Sequence, residues 1–166
     1  VGRYLDEGYE GRGCLTKKGE NVGSLRRGMS INLSKKLQQV KGVTVRHMPK
    51  IVHLGIGCKR NTPLERIEEL VLPELERMDL DKRSIAGIAS VYLKKDEQGL
   101  LAFAEKYKFP AHFYSADELN ALEGDFTPSA FVQSVVGVSN VCERSAVRDA
   151  KCGRLALRKT SRNGVT

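Results

Sequence analysis

Tryptophan is absent from the chain, and the five Phe and five Tyr bring the aromatic share only to 6%. Single-stranded nucleic acid is held by aromatics interleaved with cations. The paired cations Lys17-Lys18, Arg26-Arg27 and Lys35-Lys36 have none between them, so a net charge of +8 does not by itself indicate a nucleic-acid partner. Long apolar runs are missing too: nothing approaches the ~20 residues of a membrane helix, which argues against a membrane partner. Val1 to Glu7 offers neither a basic nor an apolar leader segment, so no signal peptide is read there. Cys14, Cys58, Cys142 and Cys152 never fall at C-x-x-C spacing, which argues against a structural zinc site. Without a secretory signal they read as free thiols in a reducing, cytoplasmic setting. His47, His53 and His112 are not at ligand spacing either. His53 and His112 lie in apolar stretches, where a hydrogen-bonded core role is expected, and no resident metal is predicted.

What is present divides at about position 50. Residues 1–50 hold 11 Lys/Arg against 4 Asp/Glu, whereas residues 51–166 hold 17 against 16. Glycines at 2, 8, 11, 13, 19, 23 and 28 interrupt the first part, and large apolar residues are few. Residues 1–49 therefore read as a poorly structured basic arm, or the tail of a preceding domain. A short helix is expected over Ser30–Val40 and a strand over Val43–Val45. The excess positive charge suits an anionic polycarboxylate ligand.

From 50 to 166 strands and helices alternate. Strands are predicted at Ile51–Ile56, Ile85–Tyr92, Ala111–Tyr114 and Phe131–Val136. Helices are predicted at Pro63–Arg77, Leu100–Tyr107, Ser115–Leu122 and Val141–Ala150. Leu155–Lys159, a turn at Arg162-Asn163-Gly164 and Val165-Thr166 resemble a hairpin. The alternation implies an α/β fold, three layers with a mainly parallel sheet between helices. Ligands in such folds sit at the carboxyl ends of the strands. That rim gathers Gly55–Thr62, Tyr92–Glu97, Ser115 and Gly137–Asn140.

The loop Gly55-Ile56-Gly57-Cys58-Lys59-Arg60-Asn61-Thr62-Pro63 links the first strand to the first helix. Thr62 and Glu65 have the spacing of a capping box, and Pro63 suits the first helical position. Backbone amides and a helix N-terminus beside Lys59 and Arg60 suit an anion, a carboxylate as readily as a phosphate. No Gly-Lys-Ser/Thr closes the loop and no third glycine completes a dinucleotide fingerprint, so a nucleotide-binding reading ranks last. Cys58 lies before a helix and beside two cations, conditions that lower a thiol pKa and suit a nucleophile.

The same nine residues resemble the Gly-Ile-Gly-Cys-Arg-Arg-Gly-Thr-Pro signature of the CbiG/CobE family of cobalamin biosynthesis. Lys59 and Asn61 stand where that signature has Arg and Gly. Ile88-Ala89-Ser90 with Lys94-Lys95-Asp96-Glu97-Gln98-Gly99-Leu100 is similar to the family's A-S … K-x-D-E-x-G-L block. Phe113–Leu119 resembles its Phe-to-Leu stretch. Thr127–Val132 with Gly137–Glu143 resembles its Ser-x-Phe-Val … Gly-Val-x-x-Val-x-Glu block. The four blocks occur in order over about residues 50–166. Residues 1–49 lack the Gly-His-x-Gly-Gly-Ala-Asn motif expected of the family's N-terminal half.

The resemblance implies a domain acting on a cobalt-corrin precursor in the anaerobic route, at the cobalt-precorrin-5A hydrolase step. There water opens a ring A δ-lactone and acetaldehyde leaves. Cobalt is then expected only within the substrate, with no separate cofactor, and neighbouring corrin-pathway enzymes are expected partners. Gly55, Gly57, Cys58, Lys59, Arg60 and Thr62 would hold a corrin carboxylate. Lys94, Gly137 and Glu143 complete the expected binding set. Asp96 or Glu97 would activate water. A non-catalytic corrin-precursor carrier similar to CobE is the alternative to this enzyme reading.

Overall fold

The computed structural model describes residues 27–31, 43–128, 137, 138, 140–151 and 153–166. They fall into two compact units. One comprises Val1–Lys50 with Leu75–Ser84, the other Ile51–Glu74 with Ile85–Thr166.

In the first unit, β1 (Arg27–Ile31) and β2 (Val43–His47) pair in parallel, from Arg27 opposite Val43 to Ile31 opposite His47. Ser30 and Ile31, expected to begin a helix, thus belong to a strand. The β-branched run Val43-Thr44-Val45 supplies its partner, and pairing decides where a short apolar run fits either period. The rest of that expected helix lies outside the described residues.

The second unit is built on three parallel strands, β3 (Val52–Gly55), β4 (Ile85–Val91) and β5 (Ala111–Tyr114), in the order β3-β4-β5. His53 lies opposite Gly87, Gly55 opposite Ala89, and Val91 opposite Tyr114. The central strand is buried along almost all of its length, which accounts for its continuous apolar run. α1 (Leu64–Arg77) connects β3 to β4, and α2 (Gln98–Tyr107) connects β4 to β5. Right-handed crossovers place both connections on one face of the sheet. Ile67, Leu70 and Val71 of α1 and Leu100, Phe103 and Ala104 of α2 are buried. The Tyr107 hydroxyl donates to Glu68 at 2.7 Å and ties the two helices together.

α4 (Val141–Asp149) covers the other face, and α3 (Ala116–Asn120) packs beside it. Val91, Leu119, Val138 and Val141 form a cluster there, with Tyr114 and Ala116 against it. Each such side chain contributes roughly 1.5–3 kcal/mol when fully buried. Ser115 caps α3 with the reciprocal Ser–Glu118 box, and Asn140 caps α4. The expected strand Phe131–Val136 lies outside the described residues.

The C-terminal hairpin is rearranged. Leu155–Lys159 forms no strand. Arg162 and Val165 exchange hydrogen bonds of 2.9 Å each across Asn163 (φ 51°) and Gly164 (φ 81°), a turn with positive φ at both central positions. Gly164–Thr166 then pairs antiparallel with Gly57–Lys59: Gly57 N–H donates to Thr166 O (2.8 Å), Thr166 N–H to Gly57 O (2.7 Å), and Lys59 N–H to Gly164 O (2.9 Å).

Candidate functional site at the carboxyl edge of the sheet

The loop from Gly55 to Pro63 leaves β3 at the carboxyl edge, as the alternation of elements requires. Its two leading glycines are demanded by close approach. A Cβ on Gly55 would lie 1.7 Å from the Cys142 carbonyl of α4, and one on Gly57 would lie 2.6 Å from the Thr166 hydroxyl. The Gly57 amide, expected to face an anion, is instead bonded to Thr166. The sequence signal for an open amide cradle and that for a densely packed turn are alike, since both call for glycine.

The loop is then bound to the turn that follows β4. A single turn of 3-10 helix, Tyr92–Lys94, precedes the start of α2. Glu97, 6% exposed, accepts the Asn61 amide on one carboxylate oxygen and the Lys94 ammonium on the other at 3.2 Å. Asn61 holds φ 58°, a left-handed conformation that Asn tolerates better than most residues. The Thr62 hydroxyl, expected to cap α1, donates to the Lys59 carbonyl at 2.7 Å and closes the loop on itself. Gly99 lets α2 reach the loop, since a Cβ there would sit 2.0 Å from the Thr62 carbonyl.

Cys58 lies among these groups. Burial pushes its thiol above the ordinary range; Lys94 and the Thr62 side chain oppose that shift and Glu97 adds to it. Desolvation of the turn thus outweighs the nearby positive charge, opposite to the lowered thiol pKa expected beside two cations. Lys59 and Arg60 are exposed on the outer side of the loop, and Asp96 is exposed beside the buried Glu97. Thus Cys58, Thr62, Lys94 and Glu97 are brought together, with Lys59 and Arg60 on the surface of the same loop.

Gly137 and Glu143 belong to a different arrangement. Gly137 (φ 74°) accepts the Asn120 side-chain amide at 2.7 Å. The Glu143 carboxylate, 2% exposed, accepts from Thr127 N–H (2.8 Å), Thr127 Oγ1 (2.7 Å) and Lys159 N–H (2.6 Å). Burial would raise its pKa, but these donors outweigh burial and hold it below the usual range. Glu143 is thereby occupied as a staple between two loops.

A further polar cluster lies on the α4 face, toward the amino ends of the strands. The Nδ1 atoms of His53 and His112 lie 2.5 Å from the two oxygens of Asp149, and the Tyr114 hydroxyl donates to Asp149 at 2.7 Å. Gly87 lies against this cluster, and a Cβ there would stand 3.1 Å from the Pro110 carbonyl. Burial opposes ionisation of Asp149, whose side chain is 3% exposed, yet the bonds from His53, Tyr114 and His112 hold its pKa below the usual value. Tyr114 is pushed up to about 12 by burial and by that same carboxylate. The hydrogen-bonded role expected for His53 and His112 is found here, although His112 is exposed rather than in the core. For Asp149 the sequence signal was an acid in the last turn of a helix, where the dipole disfavours it. Among the described residues, no group of three or more His, Cys, Asp or Glu is arranged to hold a metal ion. No helix among them is long and apolar enough to cross a membrane.

Residues 52–166 match the family model described as "Cobalamin synthesis G C-terminus". The chain is 31% identical over 135 residues to cobalt-precorrin-5A hydrolase of Priestia megaterium, covering 81% of this chain and 36% of that protein. It is 38% identical over 94 residues to the protein of the same name from Salmonella typhimurium, covering 57% of this chain and 27% of that one. It thus spans about a third of the length of these curated relatives. Protein CobE of a Sinorhizobium species is 32% identical over 105 residues, covering 63% of this chain and 67% of that protein. A crystal structure of CobE, a protein of the cobalamin biosynthetic pathway, superposes with a TM-score of 0.64 at 28% identity, over 71% of this chain and 87% of that one.

Proposed function

The chain belongs to the cobalamin synthesis G C-terminus family, and from that premise we propose that it serves the opening of the ring A δ-lactone of cobalt-precorrin-5A, with release of acetaldehyde. In this reading residues 50–166 supply the substrate-binding loop and the acidic pair Asp96 and Glu97 beside it. Cobalt enters with the substrate, and the step takes place in the cytoplasm among other corrin-pathway enzymes.

One observation carries the proposal. The loop beside β4 is held in one shape by the Gly57–Thr166 pairing and the Glu97 carboxylate, while Lys59 and Arg60 remain on its outer side. A cobalt-corrin precursor presents several carboxylate arms, and exposed cations on a fixed loop bind such arms without a large ordering cost. The two acids named from the sequence then divide. Asp96 is exposed and in this reading takes the proton from water; Glu97 holds Lys94 and the loop. Lactone opening consumes one water: its oxygen joins the acyl carbon, a proton passes to the base and the ring C–O bond breaks. The freed alkoxide then collapses to acetaldehyde as its C–C bond to the macrocycle breaks, and the macrocycle carbon keeps the electron pair and takes back the proton.

The carrier reading, similar to CobE, has its own support. Glu97 is buried and already bonded to Lys94 and Asn61, which leaves Asp96 as the free acid of the pair. A spectroscopic titration with the cobalt-corrin lactone, followed by a headspace assay for acetaldehyde, separates the readings. Binding with release supports the hydrolase. Binding without release favours the carrier, and no binding overturns the corrin assignment for this chain.

A further inference from the structure

Two side chains at the carboxyl edge have no evident role in holding the fold. Tyr92 is 54% exposed and Leu93 63% exposed, the two highest values among the exposed large hydrophobic residues of the described part. They are consecutive and follow directly on Val91, the buried last residue of the central strand. Turns usually carry Gly, Asn, Asp, Ser or Pro at such places. Here the backbone is fixed regardless. Lys95 N–H donates to the Tyr92 carbonyl and Glu97 N–H to the Lys94 carbonyl, at 3.1 Å each, and the Glu97 carboxylate joins the turn to the Gly55–Pro63 loop. The result is a rigid turn that presents two apolar side chains outward.

Cations surround this turn. Lys95 Nζ donates to the Tyr92 hydroxyl at 2.9 Å and stands 4.4 Å from the ring centroid. Lys94 is adjacent in sequence, and Lys59 and Arg60 belong to the loop tied to it through Glu97. Exposed apolar area framed by positive charge matches one kind of ligand: a flat, largely apolar ring with carboxylates on its rim.

We propose that Tyr92 and Leu93 form an apolar step against which the face of the corrin macrocycle rests, with Lys95, Lys59 and Arg60 meeting its carboxylate arms. This rests on the corrin reading above and adds the surface that recognises the ring as distinct from its arms. The Lys95–Tyr92 contact places a cation over one face of the phenol. Burying one leucine on binding is worth about one order of magnitude in affinity.

The test is a titration of the full chain with cobyrinic acid, a cobalt corrin bearing seven free carboxylates, followed by its visible absorption. Wild type, Tyr92→Ala, Leu93→Ala and the control Leu157→Ala, an exposed apolar residue in another segment, are compared at one ionic strength. The proposal expects a rise in Kd of about tenfold for Leu93→Ala, a smaller rise for Tyr92→Ala, and no change for Leu157→Ala. Unaltered circular dichroism and melting temperature show that the variants are folded. Wild-type affinity in Leu93→Ala overturns the apolar step and leaves the corrin assignment standing. Absence of binding by wild type overturns both together. A wild-type dimer that becomes monomeric in Leu93→Ala, with corrin affinity unchanged, assigns the step to a second copy of the chain and overturns the proposal.

Discussion

Asp96 and Glu97 are neighbours in the chain with opposite surroundings, and their substitutions separate accordingly. Asp96→Asn removes an exposed charge; it should abolish acetaldehyde release while changing corrin affinity by no more than about twofold, and stability by less than about 0.5 kcal/mol. Glu97→Gln leaves the half-buried Lys94 without its counter-charge and should cost about 1–3 kcal/mol, seen as a lower urea midpoint. Equal loss of stability in both variants would contradict this division of labour. Asp149 gives the sharper pH test. Its folded pKa lies below its unfolded value near 3.8, so its stabilising contribution is complete above that value and disappears as pH falls through the folded pKa. Asp149→Asn should therefore cost about 2 kcal/mol at pH 7, with the two proteins converging as the pH falls below the folded pKa. Urea titrations at several pH values measure this, and a constant difference down to pH 2 would exclude the linkage.

Among the elements, the strands and helices around the site were the most legible. Thr62, Pro63 and the apolar spacing of Leu64, Ile67, Leu70 and Val71 marked the start of α1, and Ala111–Tyr114 was bounded by Pro110 and by the Ser115 cap. Less legible was what the glycines of the loop were for. Gly55 and Gly57 read as openings for a ligand, yet their space is filled by α4 and by Thr166. A pattern of residue types records that a Cβ is forbidden, not which atom forbids it. The same limit hid the use of Glu143 and the partner of Val165, both contacts between distant segments. Gly55→Ala checks the steric account. Its new methyl would meet the Cys142 carbonyl at 1.7 Å, on helix backbone that can yield only by shifting α4. A loss of about 3 kcal/mol is expected in thermal or urea unfolding, and a loss below about 1 kcal/mol would show that α4 moves freely.

Over the whole molecule the charge is unevenly placed, with 11 Lys/Arg against 4 Asp/Glu in residues 1–50 and near balance beyond. Such a field would draw in the polyanionic corrin of the proposed reaction, and salt would screen it. Raising ionic strength from about 0.05 to about 0.2 M should weaken corrin binding several-fold, measured by the same absorption titration. Invariance with salt would confine recognition to buried contacts. The pairing of Gly57 with Thr166, 109 positions apart, has a consequence for the order of events during synthesis. β3, β4 and β5 are all available once Tyr114 has emerged from the ribosome, but the partner of the ligand loop is translated some fifty residues later. At about 5–20 residues per second, a nascent chain holds an assembled sheet for several seconds before the loop acquires its final shape. The Gly55–Pro63 loop therefore reaches its final shape only after the scaffold that displays it.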